Sequence, residues 1–208
     1  MGKKRSHSSQ RWLQEHLHDP FVIQAKQQGL RSRAHFKLAE IQEKTNLIKP
    51  GQTVLDLGGA PGAWSVLASK LAGQNGRVIT CDLLPMQAIP NHIFIQGDFD
   101  SPSTQAEILS HTPGGIDVIL CDIAPNTCGI KAADQLKAMQ ICEAVLAFCI
   151  THLPEQGVGL IKVFHGLGFD ALLKTAKQHF MTVKTYKPKA SRNRSAECYL
   201  FLQNRRTG

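Results

Sequence analysis

The chain has 208 residues, with 24 Lys and Arg against 16 Asp and Glu, a net charge of +8 and 42% hydrophobic residues, enough for one domain with a full core. No apolar run approaches the roughly eighteen residues of a membrane span. The start, Met-Gly-Lys-Lys-Arg-Ser, lacks a secretory signal's apolar segment, so the expectation is a cytoplasmic protein without membrane attachment. The six cysteines contain no Cys-x-x-Cys pair, several lie in apolar runs, and the nine histidines are scattered. That pattern favours reduced core thiols over disulfides or a metal site.

Charge is uneven along the chain. Residues 1–50 carry ten Lys and Arg against four Asp and Glu, residues 51–183 seven against eleven, and residues 184–208 seven against one. An acidic middle between basic flanks suits a polyanion held by the flanks, because phosphate neutralisation by Lys and Arg dominates nucleic-acid affinity. Solvated, solubilising tails are the plainer alternative.

Residues 1–10, rich in Lys, Arg and Ser, have little to bury and read as an arm. Short helical patterns follow at Trp12–Leu17 and Phe21–Gly29, then Leu30–Ile41. In that last segment Phe36, Leu38 and Ile41 can bury, Ser32 can cap, and Arg31, Arg33 and Lys37 stay near one edge. Residues 53–64 read Thr-Val-Leu-Asp-Leu-Gly-Gly-Ala-Pro-Gly-Ala-Trp: a strand, a turn and a helix start. Gly58, Gly59 and Gly62 let backbone turn sharply and approach a ligand, and the helix start offers unpaired N–H groups. The spacing Gly-Gly-x-x-Gly departs from the dinucleotide fingerprint, and Asp56 disfavours a pyrophosphate. A cationic, amine-bearing cofactor such as S-adenosylmethionine fits that acid better than NAD; a plain tight turn is the bland alternative.

Trp64–Ala72 continues as a helix, and Gly76–Asp82 reads as a second strand whose Asp82 is placed for ribose hydroxyls, twenty residues beyond Gly62. Ile93–Asp98 gives a third strand, with Asp98 able to accept from an adenine amino group, and Gly115–Asp122 a fourth, continuing to Asn126. Ligands of open parallel sheets bind outside the strands' carboxyl ends, so Asp56, Asp82, Asp98 and Asp122 fall along one crevice. Asp134–Leu153 is a long helix with an apolar core stripe. Gly157–Phe164 is a fifth strand with Lys162 inside its apolar run, either snorkelling or held near carboxylates. A helix at Phe169–His179, a strand at Met181–Lys184, a basic turn at Ser191–Ser195 and a last strand, Glu197–Leu202, complete an α/β pattern without repeats.

These residues closely resemble the bacterial 23S ribosomal-RNA uridine 2′-O-methyltransferases of the FtsJ/RrmJ type. The shared segments include Arg-Trp-Leu-Gln-Glu-His, Gly-Leu-Arg-Ser-Arg-Ala-x-Phe-Lys-Leu, the Asp56–Trp64 turn, Cys-Asp-Leu-Leu-Pro-Met, Gln-Gly-Asp-Phe, Lys-Val-Phe and Ser-Arg-x-Arg-Ser before Glu197, covering nearly the whole chain. The resemblance implies a Rossmann-like, mostly parallel seven-stranded sheet with helices on both faces and an antiparallel last strand. It implies a catalytic Lys37, Asp122, Lys162 and Glu197, and S-adenosylmethionine held by Gly62, Trp64, Asp82, Asp98 and Asp122, to which Asp56 and Gly58 are added from the turn. Gly59 and Ala63 stand where the family motif has alanine and glycine, and Ala196 and Cys198 flank Glu197 differently from the family pattern.

Residues 1–50 are then expected to form the RNA-contacting arm and helices, and residues 51–208 the methyltransferase domain, in one compact unit. Arg31, Arg33, Arg192 and Arg194 are expected to hold 23S rRNA within the large ribosomal subunit, with the protein a monomer that uses no metal. Lys162 is either a neutral general base for the 2′-hydroxyl or a charged group that orients it. A non-catalytic RNA-binding assembly factor and a NAD-dependent oxidoreductase are the competing readings; the complete tetrad weighs against the first and the glycine spacing against the second.

Overall fold

The computed structural model describes residues 17–125, 128–192 and 194–207. The expected N-terminal arm, the helical pattern before Leu17, and Asn126 lie outside the described residues. Helices α1 (Pro20–Gln27) and α2 (Ala34–Thr45) lead into β1 (Thr53–Leu57), α3 (Ala63–Ala72), β2 (Arg77–Asp82) and β3 (Ile93–Gln96). There follow α4 (Pro102–Ser110), β4 (Val118–Cys121), α5 (Lys131–His152), β5 (Val158–Phe164), α6 (Phe169–His179), β6 (Phe180–Tyr186) and β7 (Glu197–Arg205). Local chemistry sets the starts of α1 and α4. Asp19 accepts from the Phe21 amide at 3.0 Å with Pro20 in the first turn, and Ser101 accepts from the Thr104 amide at 3.2 Å with Pro102 next. Helix α4 was not among the sequence expectations, although its Ser-Pro start is a legible cap.

The sheet order is β3-β2-β1-β4-β5-β7-β6. Strands β1 to β5 are parallel, and β7 runs antiparallel to both β5 and β6. The chain leaves β1 outward through β2 and β3, then returns to place β4 on β1's other side. The strand order therefore reverses between β1 and β4, and a crevice opens at their carboxyl ends.

Strand alternation divides the apolar residues between two cores. Leu55, Leu57, Ile119, Ile161 and Leu200 face α4, α5 and α6. Val54, Val118, Leu120, Leu160 and Phe201 face α2 and α3, where Leu38, Ile41, Trp64 and Ala68 cover them. Leu47 and Ile48 join that second core, so residues 34–48 are packed onto the sheet with the rest of the domain. Among the described residues, no helix is long and apolar enough to cross a membrane.

Candidate active site

The period-two alternation that builds the α2/α3 core also builds the site. In β5, Val158 and Leu160 face that core, so Lys162 does too; in β7, Tyr199 and Phe201 share the face of Glu197. Antiparallel pairing sets Lys162 opposite Tyr199, and Asp122 follows the last residue of β4. Helix α2 brings Lys37 from above. Its first residue accepts at its carbonyl from the Trp64 indole nitrogen at 2.7 Å, which ties α2 to α3.

The four residues meet. Lys162 Nζ lies 3.0 Å from Asp122 Oδ1 and 3.4 Å from Glu197 Oε2, and donates to the Asp122 carbonyl at 3.2 Å. Lys37 Nζ lies 2.7 Å from Glu197 Oε1 and 3.9 Å from Asp122 Oδ1. Lys37, Lys162 and Glu197 are all buried. Two lysines and two carboxylates balance, as buried charges must. Burial resists the charge on Lys162, but Asp122 and Glu197 outweigh it and hold its pKa above the ordinary lysine range. Burial would raise Glu197 as well, yet Lys162, Lys37 and the hydrogen bonds from Lys37 and Ser191 bring it down to about 2. That direction favours the charged, orienting form of Lys162 over the neutral base.

Three partners were not singled out from the sequence. Tyr199 donates its hydroxyl to Asp122 Oδ1 at 2.6 Å, and its ring lies 5.6 Å below Lys37 Nζ. Ser191 donates to Glu197 Oε1 at 2.8 Å, and Lys187 donates to the Glu197 carbonyl at 3.2 Å. Tyr199 was legible as the next same-face residue after Glu197; Ser191 and Lys187 come from a loop whose path only the fold sets.

Beside the tetrad, the glycine-rich turn, Asp56, Trp64 and Asp122 line the crevice at the β1/β4 reversal. Gly58 and Gly62 both take positive φ, 71° and 100°. A Cβ at Gly58 would lie 2.2 Å from an Ile123 side-chain carbon, so only glycine fits. Asp82 accepts from the Ala60 amide at 2.9 Å and the Leu84 amide at 2.8 Å, bracing the turn. Asp98 is exposed at the end of β3, with Oδ1 accepting from the Asp100 amide at 3.0 Å. Trp64 is 2% exposed and packs against Tyr199, so much of its surface serves the core. Asp56 is fully buried; Oδ2 accepts from Ser65 at 2.6 Å, and Oδ1 is a buried oxygen with no hydrogen-bond donor. Burial lifts the Asp56 carboxyl to about 7 against the Ser65 bond, with Asp122 and Asp82 adding to the rise.

The arginines expected at the RNA face have internal partners. Arg31 donates to the carbonyls of Pro61 and Gln87 at 2.8 Å and of Ala88 at 3.0 Å, clamping the glycine-rich turn to the loop after β2. Arg33 donates to the Asp19 carboxylate and the Ala190 carbonyl, joining α1 to the loop before β7. Arg192 approaches the same Asp19 at 4.0 Å and remains partly exposed.

A reversed sheet order with its terminal strand antiparallel, and acids at the carboxyl ends of four strands, defines the Rossmann-like fold of S-adenosylmethionine-dependent methyltransferases. Residues 30–205 match the model of the FtsJ-like methyltransferases, and the chain belongs to that family. It is 47% identical, over 98% of its length and 95% of theirs, to proteins of Acinetobacter baumannii named ribosomal RNA large subunit methyltransferase E. Among solved structures, a chain described as a ribosomal RNA methyltransferase of Plasmodium falciparum superposes with a TM-score of 0.75 at 28% identity, covering 84% of this chain and 98% of that one. Aeropyrum pernix fibrillarin, solved with bound S-adenosyl-L-methionine, shares the fold at a TM-score of 0.52 and 17% identity, over 75% of this chain and 68% of that one.

Proposed function

We propose that this protein transfers a methyl group from S-adenosylmethionine to the 2′-hydroxyl of a uridine in 23S rRNA, acting on the large ribosomal subunit. The observation that carries the reading is the balanced Lys37–Asp122–Lys162–Glu197 cluster beside the glycine-rich crevice. Ribosomal RNA as substrate is supported by the names of the relatives, and the uridine 2′-oxygen by the motif resemblance and the chemistry of the cluster. The crevice residues fit the cofactor. An unpartnered, buried Asp56 oxygen in the crevice suits a cationic amino group, and Asp82 at the end of β2 and Asp98 just after β3 are carboxylates suited to ribose hydroxyls and an adenine amine.

The cofactor supplies an electrophilic methyl on a sulfonium, which needs no further activation. The protein's task is to orient a poor nucleophile and manage its proton. Lys162, charged and anchored by Asp122 and Glu197, directs an N–H to the hydroxyl oxygen and stabilises the alkoxide character that develops as the C–O bond forms. Lys37 and Ser191 hold Glu197 in place. Asp122 touches Lys162 and lines the crevice, and its carboxylate takes the hydroxyl proton as the C–O bond forms. Tyr199 fixes the carboxylate orientation through its 2.6 Å bond.

RNA is held by the basic flanks, with Arg192 and Arg194 beside the site and Arg31 and Arg33 shaping the surface from which α2 and the crevice loops face it. The test is transfer of labelled methyl to large subunits that lack native modification, followed by mapping of the product nucleotide. Label on a base, or on no nucleotide of 23S rRNA, would overturn the reading.

A further inference from the structure

A chain of short hydrogen bonds leaves the crevice in the direction away from the tetrad. Asp56 Oδ2 meets Ser65 Oγ at 2.6 Å, Ser65 Oγ meets Thr80 Oγ1 at 2.8 Å, and Thr80 Oγ1 meets His92 Nε2 at 2.8 Å. Asp56, Ser65 and Thr80 are fully buried, whereas His92, just before β3, is partly exposed. We infer that Ser65, Thr80 and His92 form a proton path that sets the ionisation of Asp56, with His92 as the positioning residue that delivers its proton to solvent. This rests on the reading of the crevice as the cofactor site.

The chain has two self-consistent polarities. With Asp56 ionised, His92 Nε2–H donates to Thr80, Thr80 to Ser65, and Ser65 to the carboxylate. With Asp56 protonated on Oδ2 every bond reverses, and His92 accepts at Nε2 while carrying its proton on Nδ1. Conversion moves one proton per link: Asp56 gives its proton to Ser65, Ser65 to Thr80, and Thr80 to His92 Nε2. The doubly protonated ring then releases Nδ1–H to water, so one proton leaves and one carboxylate charge appears.

The surroundings favour this use. Asp82 and Asp122 both oppose ionisation of Asp56, and burial places it at about 7, so the free crevice holds a mixture of the two forms near neutral pH. Burial lowers His92 to about 4, with nearby Arg31 adding to the effect, so the ring returns to neutrality and does not trap the proton. A cation placed against Oδ1 selects the ionised form. Gly59 supports the same assembly. A Cβ there would lie 2.5 Å from the Thr80 methyl and 2.6 Å from Asp56 Oδ2, so the glycine makes room for Thr80.

The experiment is calorimetric titration of the whole protein with S-adenosylmethionine from pH 6 to 8.5, in buffers of differing ionisation enthalpy, with 5′-methylthioadenosine as a probe lacking the amino-acid end. Binding of S-adenosylmethionine should release up to one proton at low pH. Affinity should rise by as much as roughly tenfold per pH unit and level off near pH 7, before falling as the cofactor's own α-amino group loses its proton above about pH 8, and the truncated probe should show none of these effects. Asp56→Asn should abolish the dependence. His92→Phe and Thr80→Val should each move the levelling point upward by about half a pH unit or more, because the ionised carboxylate loses support. Thr80→Ser should restore it. An unmoved levelling point in both variants, or pH-independent affinity in the parent protein, would overturn the proton path. Absence of S-adenosylmethionine binding at every pH would instead remove the cofactor reading on which it rests.

Discussion

Lys162 is one of two buried cations balanced by two carboxylates, so its removal affects more than chemistry. Lys162→Met leaves an uncompensated carboxylate and should destabilise the protein by about 3–5 kcal/mol. Lys162→Arg keeps the charge and should keep most of the stability, yet its planar fork cannot reproduce the ammonium's position. Single-turnover methyl transfer by Lys162→Arg should fall by roughly 10²-fold or more. Near-parental rates would end the assignment of Lys162 to the hydroxyl. At the turn, Gly59→Ala should cost about 1–3 kcal/mol through overpacking against Thr80 and Asp56, and adding Thr80→Ala should recover part of that loss by removing the methyl. Urea unfolding of the single and double variants measures the coupling, and additive effects would show that the two positions do not share the space.

Helix α2 carries Lys37, but its position depends on a bond made by another helix. The Trp64 indole on α3 donates to the Ala34 carbonyl at the start of α2, while Leu38 and Ile41 bury on the sheet. Trp64→Phe keeps most of the apolar surface and removes the donor. It should lower stability by about 1 kcal/mol, seen as a fall of roughly 2–4 °C in melting temperature. Because α2 also places Lys37 against Glu197, the methyl-transfer rate of the folded protein should fall as well. Unchanged turnover with reduced melting temperature would confine Trp64 to packing.

Over the whole molecule, the shifted groups give stability a definite pH profile. Glu197 is lowered from 4.5 to about 2, so its contribution is present above pH 4.5 and is lost as pH falls towards 2. Lys162 is raised above 10.5, so its contribution persists below that value and is lost only as pH rises beyond it. Asp56 is raised from 3.8 to about 7, so the folded state binds the extra proton between those values and loses stability as pH rises through that window. Urea unfolding of the parent protein should therefore carry a falling component between pH 4 and 7 that Asp56→Asn removes. Affinity for the ribosomal subunit should fall with salt. Arg192→Ala with Arg194→Ala should flatten that slope by about one phosphate contact each, and an unchanged slope would reduce both to solubilising charge.

The strands, their order of appearance and the acids at their ends were legible because each is a local pattern: an apolar run, a turn signal, an Asp. Lys162 stood out because a lysine inside such a run conflicts with its surroundings, and the motif resemblance named its three partners. The sequence alone left the form of Lys162 open, since its charge depends on distances to Asp122 and Glu197 that join β5 to β4 and β7. It showed Arg31 and Arg33 as charges but not the carbonyls they reach, because spacing reveals a guanidinium and not its partners; those lie in the turn after β1, the loop after β2 and the loop before β7. Ser191, Lys187 and the Asp56-to-His92 chain became visible only in three dimensions. Hydrogen bonds made across loops and between paired elements leave no periodic trace, and only the fold brings their donors and acceptors within hydrogen-bonding distance.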